Sequence, residues 1–191
     1  MSPPALAALF AVALVVAIAG YVALASYNAI VALRQRIDKA WANIDVVLKQ
    51  RHDQLPNLVS AVRGLMAFER DVLTEVTRAR AAYSPSAPIP DQAVTSDATS
   101  SAVRSLFAVV ERYPDLKSQG NVQDLQDQIE RLEAMIADRR ELYNDQVYRY
   151  NTAIVQLPGV VLASIFGWKT RQFFAADAAD AARPDTGLGV T

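Results

Sequence analysis

Cysteine is absent from the 191 residues, and histidine occurs once, at His52. The first absence excludes disulfides, thiol nucleophiles, cysteine-ligated zinc and iron–sulfur clusters together. The second excludes a histidine-rich metal centre. The seven glycines form no Gly-rich loop of the kind that cradles phosphate. No nucleophile carries a local signature that would start a Ser-His-Asp argument. Charge of one sign is lacking as well. The net charge is −1 and the pI about 5.8, so there is no basic domain to suggest nucleic acid. Alternation of period two is missing along the chain, which leaves no strand signal. The expectation is a protein with no catalytic residues, no metal and no cofactor.

What the sequence does have is apolar surface, unevenly placed. Hydrophobic residues make up 52% and the mean hydropathy is +0.11, with the excess concentrated in the first 25 residues. From Pro4 to Ala25 there is no charged side chain. At 1.5 Å rise per residue this helix is about 33 Å long, enough for a hydrocarbon layer of about 30 Å. Tyr21 and Tyr27 stand near its end, where amphipathic rings favour the interface. A cleaved signal peptide is the competing reading, since Ala23-Leu24-Ala25 has a small-x-small form. A basic leading region is missing, however, and the apolar run is longer than a signal peptide uses. Arg34, Arg36 and Lys39 follow the span and no basic side chain precedes it. This places the N-terminus outside and the rest of the chain in the cytoplasm, on a bacterial inner membrane.

After the anchor the apolar positions recur every three or four residues. Residues 26–53 carry Ile30, Leu33, Ile37, Trp41, Ile44 and Leu48, one buried stripe of a helix that can continue directly from the anchor. Pro56 is expected to kink or break it, because proline lacks the backbone donor. A second helix over 56–83 is expected, with Leu58, Val59, Val62, Leu65, Met66, Val72, Leu73, Val76 and Ala79 inward. Three prolines in 84–90 mark a loop. A third helix begins near Asp91 or Thr95 and ends near Arg112, with Ala98, Ala102, Leu106, Val109 and Val110 inward. The fourth, over 122–157, has heptad-like spacing through Val122, Leu125, Ile129, Leu132, Ile136, Tyr143, Val147, Tyr150 and Ile154. Residues 160–174 are apolar but too short to span a bilayer. They either pack on the bundle or lie in the membrane interface, with Trp168 beside Lys169 and Arg171; packing is the expectation. The fold class is therefore all-α: an N-terminal transmembrane helix followed by an antiparallel four-helix bundle with long helices. The expected divisions are an anchor at 1–25, a bundle at 26–174 and a disordered tail at 175–191.

Charge is asymmetric within that plan. From residue 26 to 80, Lys and Arg outnumber Asp and Glu by nine to six; from 81 to 148 the acids lead by eleven to six. Mutually attractive helix faces account for this, and a basic face near anionic headgroups is the alternative.

Several motifs have a recognisable order. Trp41-Ala42-Asn43-Ile44-Asp45-Val46, then Lys49, Arg51, Asp53 and Leu55-Pro56-Asn57-Leu58-Val59, with Arg78-Ala79-Arg80, form a first set. Tyr113-Pro114-Asp115-Leu116-Lys117, Leu125-Gln126, Glu133, Arg139, Tyr143-Asn144 and Tyr150-Asn151 form a second. Together they resemble the signatures of the LemA family over most of residues 27–174. Phe68 stands where that family often has His, Val122 where Phe is common, and Ala134 where Asn is common. The resemblance implies one N-terminal membrane helix, an outside N-terminus and a helical bundle. It implies no established enzymatic activity, and a membrane-organising role for some members, since one relative takes part in building bacterial magnetosome membranes.

Polar residues beside the apolar stripes are the candidates for a site: Asp45, Asn57, Glu69, Arg80, Arg139, Asn144 and Asn151. They read as a buried hydrogen-bond network that fixes helix register, with an ion or ligand pocket as the alternative. Arg139 occupies a seam position and calls for a carboxylate, Asp45 or Glu69. His52 reads as a surface histidine at a helix end. Asp127, Glu130 and Glu133 read as a solvated face rather than a metal site. The function expected is a membrane-anchored scaffold or adaptor, possibly homo-oligomeric, whose partners are the lipid bilayer and other membrane proteins, without nucleic acid. A membrane-tethered sensor that uses the polar core is the second reading. An envelope hydrolase built on Glu69 and His52 is the third.

Overall fold

The computed structural model describes residues 3–63, 70–114 and 119–175, and these form helices and connecting turns without strands. Five helices are described: α1 Pro3–Arg63, α2 Arg70–Ala81, α3 Ile89–Val110, α4 Gly120–Val155 and α5 Gly159–Phe166. The apolar N-terminal stretch runs on without a break into the helix expected over residues 26–53, and α1 is 61 residues long. Leu65, Met66, Phe68 and Glu69, the Asp115-Leu116-Lys117 motif segment and the expected tail from residue 176 lie outside the described residues.

Pro56 does not break the helix; α1 continues through it to Arg63. A proline at 56 has no N–H for the carbonyl of His52, four residues earlier. The Arg80 Nε donates to that carbonyl at 3.2 Å instead, so the orphaned acceptor is partnered from α2. Leu55, Leu58, Val59 and Val62 around the proline are buried, and their packing favours the helix that the local cost opposes. The helix expected over 56–83 is thus split between the end of α1 and α2. The helix α3 begins at Ile89 with proline in its first positions, where the missing donor costs nothing.

The chain divides into two compact units. One comprises Met1–Lys39 with Asp145–Arg171, the other Ala40–Asn144 with Gln172–Thr191. In the second unit the core is formed by Ile44, Val47, Leu48, Leu55 and Leu58 of α1, Val76 of α2, Ala102, Val103 and Leu106 of α3, and Ile129 and Tyr143 of α4. Truncating one such residue to Ala costs about 2–5 kcal/mol. The expected stripe of α4 is inward except at Leu125, which is half-buried. The stripe read for α3 was incomplete. Ala98 is exposed, and the inward face also carries Gln92, Ser96 and Thr99, all at most 4% exposed.

In the first unit the apolar part of α1 is exposed: its most hydropathic 18-residue window has 0% of its residues buried. That helix is long and apolar enough to cross a membrane. Ile30 and Ile37 are buried further along. Gly159 is buried where α4 gives way to α5, and a Cβ there would collide with the Ala153 carbonyl. Gly167 takes φ 64° in the left-handed turn that ends α5, a conformation glycine adopts without steric cost.

An extended strap, residues 168–174, follows α5. In the first unit Tyr150 Oη donates to the Lys169 carbonyl at 3.1 Å. Asn151 bonds both backbone groups of Arg171, Nδ2 to the carbonyl at 3.0 Å and Oδ1 from the N–H at 2.8 Å. In the second unit Tyr143 Oη donates to the Gln172 carbonyl at 2.9 Å. Asn144 brackets Phe174 through Nδ2 to the carbonyl at 3.3 Å and Oδ1 from the N–H at 2.9 Å. Each Asn amide thus serves the strap as a neighbouring strand would. The Tyr-Asn pairs recur at seven helical positions and hold strap residues three positions apart.

Candidate functional site

Among the described residues the most buried charged side chain lies in the second unit, and it is not one of the seven candidates. Arg51 is 3% exposed. Its stripe neighbours Leu48 and Leu55 face the core, so α1 carries the guanidinium inward with them. Arg51 Nη1 donates to Glu133 Oε1 at 2.8 Å and to Ser100 Oγ at 2.9 Å. Its Nη2 donates to Ser96 Oγ at 2.9 Å and to the Ser96 carbonyl at 3.4 Å. Ser100 Oγ lies 2.5 Å from Glu133 Oε2, a short hydroxyl-to-carboxylate bond. Ser96 and Ser100 are one turn apart on α3, so both hydroxyls face the same way. Their small size leaves room for the guanidinium. The cluster ties α1, α3 and α4 together, and breaking a buried ion pair of this kind leaves a charge without compensation.

Glu133 therefore belongs to an interior ion pair and not to a solvated face: its side chain is 26% exposed and Arg51's 4%. Arg51 comes from the first motif set and Glu133 from the second, 82 positions apart. That shared membership in the motifs was the signal available in the sequence. The serines gave none, since serine in a helix reads as surface.

A second polar group adjoins the first. His52 is half-buried inside α1, not a surface residue at a helix end, with its ring 5.0 Å from that of Tyr83. Desolvation, and secondarily the Arg80 charge, hold its pKa below the usual 6.5. Tyr83 Oη donates to Asp45 Oδ1 at 3.5 Å, and burial with the nearby Asp45 charge raises the phenol's pKa above 10.0. Gln92 Nε2 donates to the carbonyls of Pro85 and Ala87 at 3.2 and 2.9 Å. It thereby fixes the loop before α3 and leaves Gln92 Oε1 without a partner, as His52 Nδ1 is too. Both residues line a cavity of about 10 Å³ with Arg51, Arg80, Tyr83 and Ser96. That volume admits one water molecule at most.

The six candidates that lie among the described residues do not form one network. Arg80 serves the His52 carbonyl, Asp45 meets Tyr83, and Asn144 and Asn151 clamp the strap, each in its own unit. Asn57 is exposed and bonds Gln54 Oε1 at 3.1 Å. Arg139 donates to the Asn43 carbonyl at 3.4 Å rather than to Asp45; a half-exposed guanidinium is satisfied by a carbonyl and water. Glu69 lies outside the described residues. Arg140, next to Arg139 in sequence, holds Asp97 with two bonds of 2.9 and 3.0 Å and donates Nε to the Phe174 carbonyl at 2.9 Å. Phe174 is fully buried, with Trp41 5.7 Å away and the Arg140 guanidinium 5.1 Å from its ring. No group of three or more His, Cys, Asp or Glu residues arranged to hold a metal occurs among the described residues.

An all-helical chain with an exposed apolar helix of membrane-spanning length, and an interior ion pair that joins two distant motif sets, defines a class of membrane-associated helical proteins. The chain belongs to the LemA family, whose model matches residues 40–187. It is similar to two magnetosome proteins of Paramagnetospirillum magneticum, MamQ 2 and MamQ 1, at 37% identity over 73 residues. The magnetosome protein MamQ of Magnetospirillum gryphiswaldense is 34% identical over 73 residues. Each match covers 38% of this chain and 27% of the relative.

Proposed function

We propose that this chain is a membrane-anchored scaffold or adaptor, without chemistry of its own, that organises membrane proteins or membrane structure. Its helices are taken to form an antiparallel four-helix bundle over residues 26–174, carried by an anchor at 1–25 and followed by a tail at 175–191. The observation that carries the reading is the use made of the polar residues. Arg51, Glu133 and the two serines satisfy one another across three helices, and the cavity beside Arg51 and Ser96, about 10 Å³, is too small for a substrate. Such a network fixes the register of helices. The exposed apolar helix supplies a place for the protein at a bilayer, and the similarity to magnetosome proteins agrees with membrane work. The basic residues after the span favour an outside N-terminus and a cytoplasmic bundle in the inner membrane of a bacterium.

The test is the mass of the full chain in native-like lipid, by native mass spectrometry, with cross-linking in membranes. A defined multiple of the 20.8 kDa chain, or a reproducible membrane-protein partner, supports the scaffold. A monomer that cross-links to nothing refutes it.

A second reading is a sensor that uses the polar core. It is favoured by two unpartnered buried atoms, His52 Nδ1 and Gln92 Oε1, at one cavity. Opening of that cavity by a metabolite would raise the thermal midpoint in a ligand screen; no shift across the screen excludes it.

A further inference from the structure

Within the first unit, α5 ends beside α1 just past the apolar run. The Tyr27 ring lies 5.0 Å from Phe166 and 5.6 Å from Trp168, and the last two stack at 5.3 Å. Tyr27 is two residues past Ala25, where the apolar run gives way to the polar Ser26 and Asn28, so this aromatic trio stands where the hydrocarbon would end. The other end of α5 also touches α1. A methyl group at Gly159 would stand 3.2 Å from Ile30 Cδ1. Gly159 and Phe166 thus both meet the one turn of α1 between Tyr27 and Ile30. With α1 spanning a bilayer, that contact places α5 at the depth of the interface.

The outer surface of α5 fits that location. It has no charged residue. Val160, Val161, Ile165 and Phe166 are 42–69% exposed, and Leu157 just before it is 80% exposed. The expected packing of residues 160–174 on the protein therefore holds for the strap and fails for this face of α5. Beyond Gly167 the polarity changes at once. Arg34, Lys169 and Arg171 line an open recess of about 470 Å³ with Tyr150, Trp168 and Thr170; no acidic residue is in its lining, while Asp38 accepts from Arg171 Nη2 at 3.4 Å. The Arg34 guanidinium lies 5.9 Å from the Trp168 ring. Arg34 is about 13 Å along the helix beyond Ala25, a depth its side chain shortens by reaching back toward the headgroups.

We propose that α5 is an interfacial foot embedded in the cytoplasmic leaflet, and that Arg34, Lys169 and Arg171 bind the phosphate of an anionic phospholipid in the adjoining recess. The inference rests on the membrane-anchored reading and assigns it a lipid class and a contact surface.

The test uses the full chain in vesicles of phosphatidylcholine with or without phosphatidylglycerol. Anchoring is measured first, by flotation after alkaline carbonate washing. Trp41→Phe leaves Trp168 as the sole tryptophan, and its quenching by lipids labelled near the headgroup and at mid-chain reports depth. Native mass spectrometry of the unsubstituted protein reports retained phosphatidylglycerol, which keeps the test independent of that variant. The expected result is stronger quenching of Trp168 by the shallow label, together with retention of phosphatidylglycerol over phosphatidylcholine. Arg34→Gln and Lys169→Gln should each weaken retention about five-fold without releasing the protein from carbonate-washed vesicles. An unquenched Trp168, or equal retention of both lipids, in protein that still floats overturns the foot and leaves the anchor standing. Loss of the protein to the carbonate wash overturns the anchored reading itself. Competition by millimolar inorganic phosphate in detergent, with no preference for phosphatidylglycerol, overturns the headgroup assignment in favour of a free-anion site.

Discussion

Removing the guanidinium of Arg80 should destabilise the protein only because residue 56 is proline. In an ordinary helix the N–H of residue 56 bonds the carbonyl of residue 52. Pro56 cannot do so, and the Arg80 Nε fills the gap at 3.2 Å. Arg80→Ala leaves a part-buried carbonyl without a donor, at a cost of about 1–2 kcal/mol. In a chain of this size that lowers the thermal midpoint by about 2–4 °C per kcal/mol. Pro56→Ala restores the backbone donor, so in that background the cost of Arg80→Ala should fall below about 0.5 kcal/mol. The coupling energy of the double-mutant cycle is then about 1 kcal/mol. The assay is thermal unfolding of the four proteins in the same mild detergent, followed by near-ultraviolet circular dichroism. An Arg80→Ala cost that is equal in both backgrounds refutes the reasoning and assigns Arg80 to packing alone. The cycle has an internal control: Arg80→Ala should raise the His52 pKa, because the Arg80 charge is one of the terms lowering it.

Glu133→Ala should cost about 2–3 kcal/mol, since it strands the Arg51 charge in the interior; its 26% exposure keeps the figure below that of a fully buried pair. Arg51→Met should cost less, because Glu133 can then hydrate while keeping the bond from the Ser100 hydroxyl; denaturant midpoints in the reverse order contradict the account. With its folded pKa lowered, His52 favours the native state fully above about pH 6.5, and this stability is lost as pH falls from there through the folded value. The thermal midpoint should therefore drop with acidification over that window, and the His52-dependent part should vanish in His52→Phe; an unchanged slope means that other groups govern it. Gly159→Ala should cost about 1–3 kcal/mol, since its methyl group meets the Ala153 carbonyl, whereas Gly120→Ala, which enters open space, should be tolerated. Equal midpoints for the two variants would show that the turn before α5 yields.

Helices, their approximate ends and the apolar anchor were legible because they depend on periodicity, which is local. Ile37, Ile44, Ile129, Tyr143 and Val147 are inward as their spacing required. Apolar composition alone likewise set the length of the exposed span. What the sequence left open concerns residues far apart in the chain. Glu133 read as part of a solvated face and Arg51 only as a member of a motif, and only the fold brings them within 2.8 Å, with two serines making space. Asn144 and Asn151 read as members of one polar core and instead clamp the strap, because an amide beside extended backbone can satisfy both of its groups. Pro56 read as a break because its cost is local, whereas the donor that offsets it sits 28 positions away on α2. Periodicity determines which face of a helix turns inward; which polar side chains meet there depends on how the helices pack, and only the tertiary structure decides that.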